Sequence, residues 1–98
     1  MSTALHAARE QVDRIDRRLV DLLAQRQTVV DEICAVKAAS GRDVRDPDRE
    51  AELLSRLRTH ARHADVSPDL VESIYQCVLD HSVERQKTQR EDANSMAA

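Results

Sequence analysis

Apolar residues recur through the first part of the chain at alternating spacings of three and four: Leu5, Ala8, Val12, Ile15, Leu19, Leu22, Val29, Ile33 and Val36. This is the a/d rhythm of a heptad helix, and no glycine or proline interrupts it. The pattern predicts one helix over about residues 5–40, capped by Ser2 or Thr3. Ser40-Gly41 ends it, because glycine readily takes the left-handed conformation just past a helix C-terminus. Such a helix is about 54 Å long, whereas a compact domain of this length has a radius of gyration of about 13 Å. The residues left over cannot cover a seam of that length. The pattern therefore predicts packing against a second copy of the chain.

Beyond a short connector, Arg42–Arg45, the dipeptide Asp46-Pro47 restarts the chain, with aspartate as N-cap and proline at the first helical position. Asp48 and Glu50 in the first turn suit the positive end of the helix dipole. The second helix is expected from about Pro47 to His63, with Leu53, Leu54, Leu57 and Ala61 inward. Ser67-Pro68 repeats the device and opens a third helix, with Val71, Ile74, Tyr75, Val78 and Leu79 inward, running to about Arg90. Residues 91–98 are polar and small and are expected to fray into a disordered tail. The expected organisation is one helical domain over residues 1–90. The fold class is all-α, with three helices (long, short, medium) per chain in an intertwined homodimer.

Composition narrows this further. One Gly, two Pro, one Tyr, no Phe or Trp and 34% charged residues favour helices over a strand-rich fold. A net charge of -3 argues against general nucleic-acid binding. No apolar run approaches the roughly 20 residues needed to span a membrane, and the N-terminus lacks the pattern of an export signal. Cys34 and Cys77 lack metal or disulfide spacing and read as small core or boundary residues of a reducing, cytoplasmic protein.

Candidate chemistry lies where local rules are broken. Arg26 occupies a heptad position that calls for an apolar residue. A guanidinium there needs a carboxylate, from the protein or from a ligand, unless it snorkels to the rim. Lys37 lies within about 20° of Arg26 around the helix and about 16 Å along it, so the two can bracket a small dianion; a solvated helix-end lysine is the plainer reading. Arg9, about 42 Å from Lys37 along the axis, cannot serve that ligand from its own chain but can from an antiparallel partner; otherwise it pairs with Asp13 on the surface. Glu50, one turn from Asp46, can point inward as an acceptor. On the third helix Val78, Ser82 and Gln86 are spaced by four, so an apolar stripe becomes polar, unless Ser82 back-bonds to a carbonyl and Gln86 is exposed. No nucleophile–base pair or Cys/His ligand set accompanies these groups, and His60 and His63 lack further ligands. The set is suited to holding and polarising a small polyanion.

These residues closely resemble the all-helical chorismate mutases, over about residues 5–87. The anchors are Arg9-Glu10-x-Val12-Asp13-x-Ile15-Asp16, then Leu22-Leu23-Ala24-x-Arg26, Lys37, Val44-Arg45-Asp46-Pro47-Asp48-Arg49-Glu50, and Ser82-Val83-x-x-Gln86. The resemblance implies an intertwined homodimer with two shared sites, each completed by an arginine of the other chain. It also implies the Claisen rearrangement of chorismate to prephenate in aromatic amino-acid biosynthesis, a pericyclic reaction without metal or cofactor. Carried over residue by residue, Arg26 and the partner's Arg9 hold the substrate's two carboxylates. Lys37 donates to the ether oxygen and a neighbouring carboxylate, and Gln86 donates to the same ether oxygen. Glu50 and the Asp46 backbone bind the ring hydroxyl, Ser82 touches a carboxylate, and Arg49 sits near the hydroxyl and orients the acidic residues. His81 stands where an acidic or neutral residue is expected and receives no role. The sequence reads as a monofunctional short form, without an appended dehydratase, dehydrogenase or synthase domain.

Other readings keep the fold and change the use. A mutase for 4-amino-4-deoxychorismate places an amine where chorismate has its hydroxyl, and Glu50 suits an ammonium at least as well. Isochorismate-pyruvate lyases use a similar cationic cage, but their disrupted Asp-Pro-x-Arg-Glu stretch and bulkier aromatic pair near Ser82 are not seen here. A non-catalytic helical dimerisation module has no need for Arg26, Lys37 and Gln86 together. The resemblance also leaves room for an activating partner enzyme.

Overall fold

The computed structural model describes residues 3–41 and 45–97, with side chains described as far as Asp92. The described chain is helical, in the order α1 (Thr3–Ala39), α2 (Pro47–His63) and α3 (Pro68–Ala97). It divides into two compact units, Met1–Ile33 and Cys34–Ala98.

The first unit is the greater part of α1. Its heptad positions Leu5, Val12, Ile15, Leu19, Leu22, Val29 and Ile33 are each between 48% and 58% exposed, so the apolar seam is uncovered within the chain. Local pairs brace the outer surface, including His6 Nε2 to Glu10 Oε1 at 3.0 Å and Gln27 Nε2 donating to Asp31 Oδ1 at 2.9 Å.

The end of α1 belongs to the second unit and closes as its sequence predicts. The Ser40 N–H donates to the Val36 and Lys37 carbonyls at 3.2 Å, and its hydroxyl donates to the same two oxygens. Gly41 follows at φ 72°, in the left-handed region that glycine enters without a Cβ penalty. The expected cap Thr3 is instead the first helical residue, while Ser2 and Arg42–Val44 lie outside the described residues.

Both proline starts are realised. Asp46 is extended (φ -125°, ψ 92°), and its Oδ1 accepts the Arg49 N–H at 3.1 Å, with Pro47 at the first helical position. At α3 the Ser67 hydroxyl accepts the Leu70 N–H at 3.3 Å. α2 and α3 pack against each other around a core that includes Ala61, Leu79 and Val83, with Cys34 also buried in this unit. Leu53, Leu54, Leu57, Val71, Tyr75 and Val78 are half-buried as expected. Arg58 ties the two helices by donating to Asp69 Oδ1 at 2.9 Å and Glu72 Oε2 at 3.3 Å.

Three expectations are corrected. Ile74 is half exposed rather than inward, because it stands about 140° round the helix from Leu79, while Val83 takes a core place. Cys77 is exposed, not a core or boundary residue. Finally, α3 continues to Ala97 instead of ending near Arg90. Neither glycine nor proline stands between Glu91 and Ala97, and extending an existing helix avoids the cost of nucleating one.

Replacing Ser67 by Ala removes the α3 cap and should lower stability by about 1 kcal/mol. Urea denaturation at fixed protein concentration measures this; an unchanged midpoint would show that the hydroxyl does not act as a cap.

Candidate active site

Residues singled out from sequence fall in both units. Arg9 is exposed and Arg26 half-buried in the first; Lys37 is half-buried in the second, in the last turn of α1, where a cation suits the helix dipole. Asp46, Arg49 and Glu50 occupy the start of α2, and Ser82 and Gln86 the inner face of α3.

The buried face of α3 is apolar at Leu79 and Val83 and polar at Ser82 and Gln86. Ser82 is 4% exposed. Hydroxyls within helices commonly back-bond to the carbonyl four residues earlier, as Thr28, Thr59 and Thr88 do here at 3.1–3.2 Å. Ser82 departs from that habit. Its Oγ, and Oε1 of the Gln86 amide one turn on, are buried with no hydrogen-bond partner among the described residues. A buried polar atom left unmatched costs about 1–3 kcal/mol, so this face carries hydrogen-bonding capacity that the described protein does not use.

At the start of α2, charge is fixed by a fork. Arg45 Nε donates to Glu50 Oε2 and its Nη2 to Glu50 Oε1, both at 2.8 Å. The same Nη2 donates to Asp80 Oδ1 on α3 at 2.9 Å, and Gln76 Nε2 donates to that oxygen at 3.3 Å. The hydrogen bonds to Glu50 and then Asp80 hold the Arg45 guanidinium protonated even above its ordinary range. The bonds from Arg45 and Gln76 hold the Asp80 carboxyl below the usual carboxylate range. Because the folded value is lowered, the stabilisation from Asp80 is present above the ordinary carboxylate pKa and lost as pH falls through the lowered one.

Arg49, expected to orient the acidic residues, is exposed and reaches Glu52 at 3.9 Å, while Arg45 holds Glu50. Sequence reasoning missed both Arg45 and Asp80. A cation five residues before Glu50 was the available signal for the first, but the bond to Asp80 spans 35 residues and leaves no periodic trace.

Among the described residues no group of three or more His, Cys, Asp or Glu could hold a metal ion, and no helix is long and apolar enough to cross a membrane. Within the second unit, α3 thus carries two unmatched buried polar atoms, and a fixed ion pair, Arg45–Glu50, stands at the start of α2.

Comparison with known proteins gives a match to the chorismate mutase type II family over residues 8–87. The T-protein of Enterobacter agglomerans is 39% identical over 82 residues, covering 84% of this chain and 22% of that protein. The bifunctional chorismate mutase/prephenate dehydratase of Escherichia coli K12 is 35% identical over 79 residues, 81% of this chain and 20% of that protein. The chorismate mutase of Methanocaldococcus jannaschii is 25% identical over 95 residues, covering 97% of this chain and 96% of that protein. The chain thus spans about a fifth of the length of the first two relatives.

Because Ser82 Oγ has no partner among the described residues, Ser82→Ala should leave stability unchanged or raise it by up to about 1 kcal/mol. Urea denaturation without ligand checks this; a clear loss of stability would mean that the hydroxyl has a partner within the protein.

Proposed function

The chain belongs to the chorismate mutase type II family, and from that premise we propose that it catalyses the Claisen rearrangement of chorismate to prephenate in aromatic amino-acid biosynthesis. The observation that carries the reading is the pair of unmatched polar atoms on the buried face of α3, Ser82 Oγ and Gln86 Oε1, which leaves that face with hydrogen-bonding capacity for a polar ligand. A pericyclic rearrangement needs no nucleophile, base or metal. It needs a cage that fixes one conformer and donors aimed at the oxygen that gains charge, and such preorganised donors are commonly the largest catalytic term.

In this proposal Arg26 and the partner's Arg9 each grip one substrate carboxylate through a planar fork, which lysine cannot supply. Their grip brings the reacting carbons together in a compact conformer. Lys37 and Gln86 donate to the ether oxygen as its bond to carbon breaks, and Lys37 also meets a carboxylate. Ser82 touches a carboxylate. Glu50, with the Asp46 main chain, accepts from the ring hydroxyl, and Arg49 adds positive charge near that end. No cofactor is required.

The protein works as a cytoplasmic homodimer in this proposal. The uncovered heptad positions of α1 support a second copy as the cover, since exposed apolar patches of that kind mark interaction surfaces. Two antiparallel copies then complete two sites, each with one Arg9 from across the interface.

Purified protein assayed with chorismate, isochorismate and 4-amino-4-deoxychorismate should turn over chorismate best, and no turnover of any of them would refute the enzyme reading. Lys37→Ala should lose about three orders of magnitude or more in kcat/KM while remaining dimeric by sedimentation, because the lost donor acts at the transition state. Mixing Arg9→Ala with Arg26→Ala chains should restore about a quarter of wild-type activity, since half of the dimers are then hybrids and each hybrid holds one intact site. If activity stays absent after subunit exchange, the sites are not shared.

A further inference from the structure

Arg45 carries no role in the reading above, yet it makes the best-defined charged contact in the second unit. Its fork meets both oxygens of Glu50 at 2.8 Å, and its Nη2 continues to Asp80 at 2.9 Å. The three groups differ in burial: the side chains of Glu50, Arg45 and Asp80 are 17%, 44% and 57% exposed. Exposed ion pairs contribute little to stability, so the outer half of this chain is a weak device for holding the fold. Its inner half, a bidentate clamp on a largely buried carboxylate, fixes geometry and charge.

The clamp changes what Glu50 can recognise. An ionised carboxylate has about four acceptor positions. Arg45 takes one on each oxygen and leaves one on each for another donor. It also offsets the charge of Glu50 at contact distance; Asp80, on the same Nη2 and 57% exposed, leaves the three groups with one net negative charge, placed at their outer end. A bare buried carboxylate would draw a cation strongly. A clamped one is a fixed acceptor whose own charge is already met, suited to a hydroxyl.

We propose that Arg45 is a positioning and specificity residue: by clamping both oxygens of Glu50, it makes that carboxylate select a neutral hydroxyl on the substrate ring over an ammonium at the same place. The inference rests on the proposed role of Glu50 at the ring substituent. Specificity here is a difference between two affinities, and the clamp acts on the cationic competitor by withholding an uncompensated negative charge.

The test compares chorismate with its 4-amino-4-deoxy analogue on the full-length chain near neutral pH, where the amine is protonated. Should the analogue bind without turnover, its inhibition constant replaces its kcat/KM. Arg45→Ala and the longer Arg45→Gln should each shift the hydroxyl-to-ammonium ratio by about tenfold or more toward the ammonium, with KM for chorismate raised and kcat changed by less than about threefold. Arg45→Lys, which keeps the charge and loses the two-point clamp, should shift the ratio in the same direction but by less than the Ala and Gln variants. Because both substrates are read on the same preparation, partial loss of folded protein cancels from the ratio. An equal loss for both substrates, or an unchanged ratio in the Ala and Gln variants, would overturn the inference. Absence of wild-type turnover with either compound would instead remove the reading of the site, and this inference with it.

Discussion

An apolar residue at every third or fourth position along a helix creates a demand for cover that grows with helix length. In α1 that demand is left unmet by the chain itself: the heptad residues from Leu5 to Ile33 stand about half exposed. Hydrocarbon buried on folding contributes about 25 cal/mol per Å², so an uncovered stripe of this kind is a large unused driving force. The rest of the proposal depends on it. A second copy that covers the stripe also carries Arg9 to a place its own Lys37 cannot reach, since the two lie about 42 Å apart along one rod. The force that would assemble the protein and the charge that would complete its site then come from the same helix.

The second unit answers a different constraint, the placement of polar groups where water is scarce. Three threonines within the helices return their hydroxyls to carbonyls four residues earlier, the cheapest way to satisfy them. Ser82 does not, although it is more buried than any of them. With the Gln86 amide one turn on, it keeps part of its hydrogen-bonding capacity outside the helix, at the cost of an unmatched buried atom. Such unsatisfied groups are tolerated where a ligand is to be met. That is why the polar step in an otherwise apolar stripe carries more weight than the charged residues around it, most of which a capped and solvated helix would have in any case.

What could be read from sequence is what is encoded locally. Asp46-Pro47 and Ser67-Pro68 announce two helix starts because a cap side chain and a fixed proline φ act within four residues. Ser40-Gly41 announces an end for a similar reason. The start of α2 follows from the first of these signals; its end at His63 is instead marked by Asp65 in the left-handed region (φ 63°). The polar composition after Arg90 does not end α3, because a helix under way needs a breaker or a cap to stop it. Apolar spacing places Ile74 on the inward face, but the buried arc of α3 is narrower and centred near Leu79 and Val83. Residue types were sufficient to nominate Ser82 and Gln86. That Ser82 would forgo its back-bond depends on packing and has no sequence mark.

Arg45 and Arg49 show the same boundary more sharply. Both flank the Asp46-Pro47 start, both are arginines, and residue type alone cannot decide which one meets Glu50. The cap decides it. With Asp46 extended and Arg49 donating its main-chain N–H to the Asp46 carboxylate, Arg49 is already the third residue of the helix. Its neighbour Glu50 is then about 100° round the helix, whereas Glu52, three residues on, lies nearly below Arg49. Arg45 precedes the cap, so its side chain is free of the helical lattice and can fold back over the first turn to Glu50 while touching Asp80 on α3. One aspartate therefore does two things. It starts a helix, and by starting it there it hands the half-buried carboxylate to the arginine outside the helix and not to the one inside.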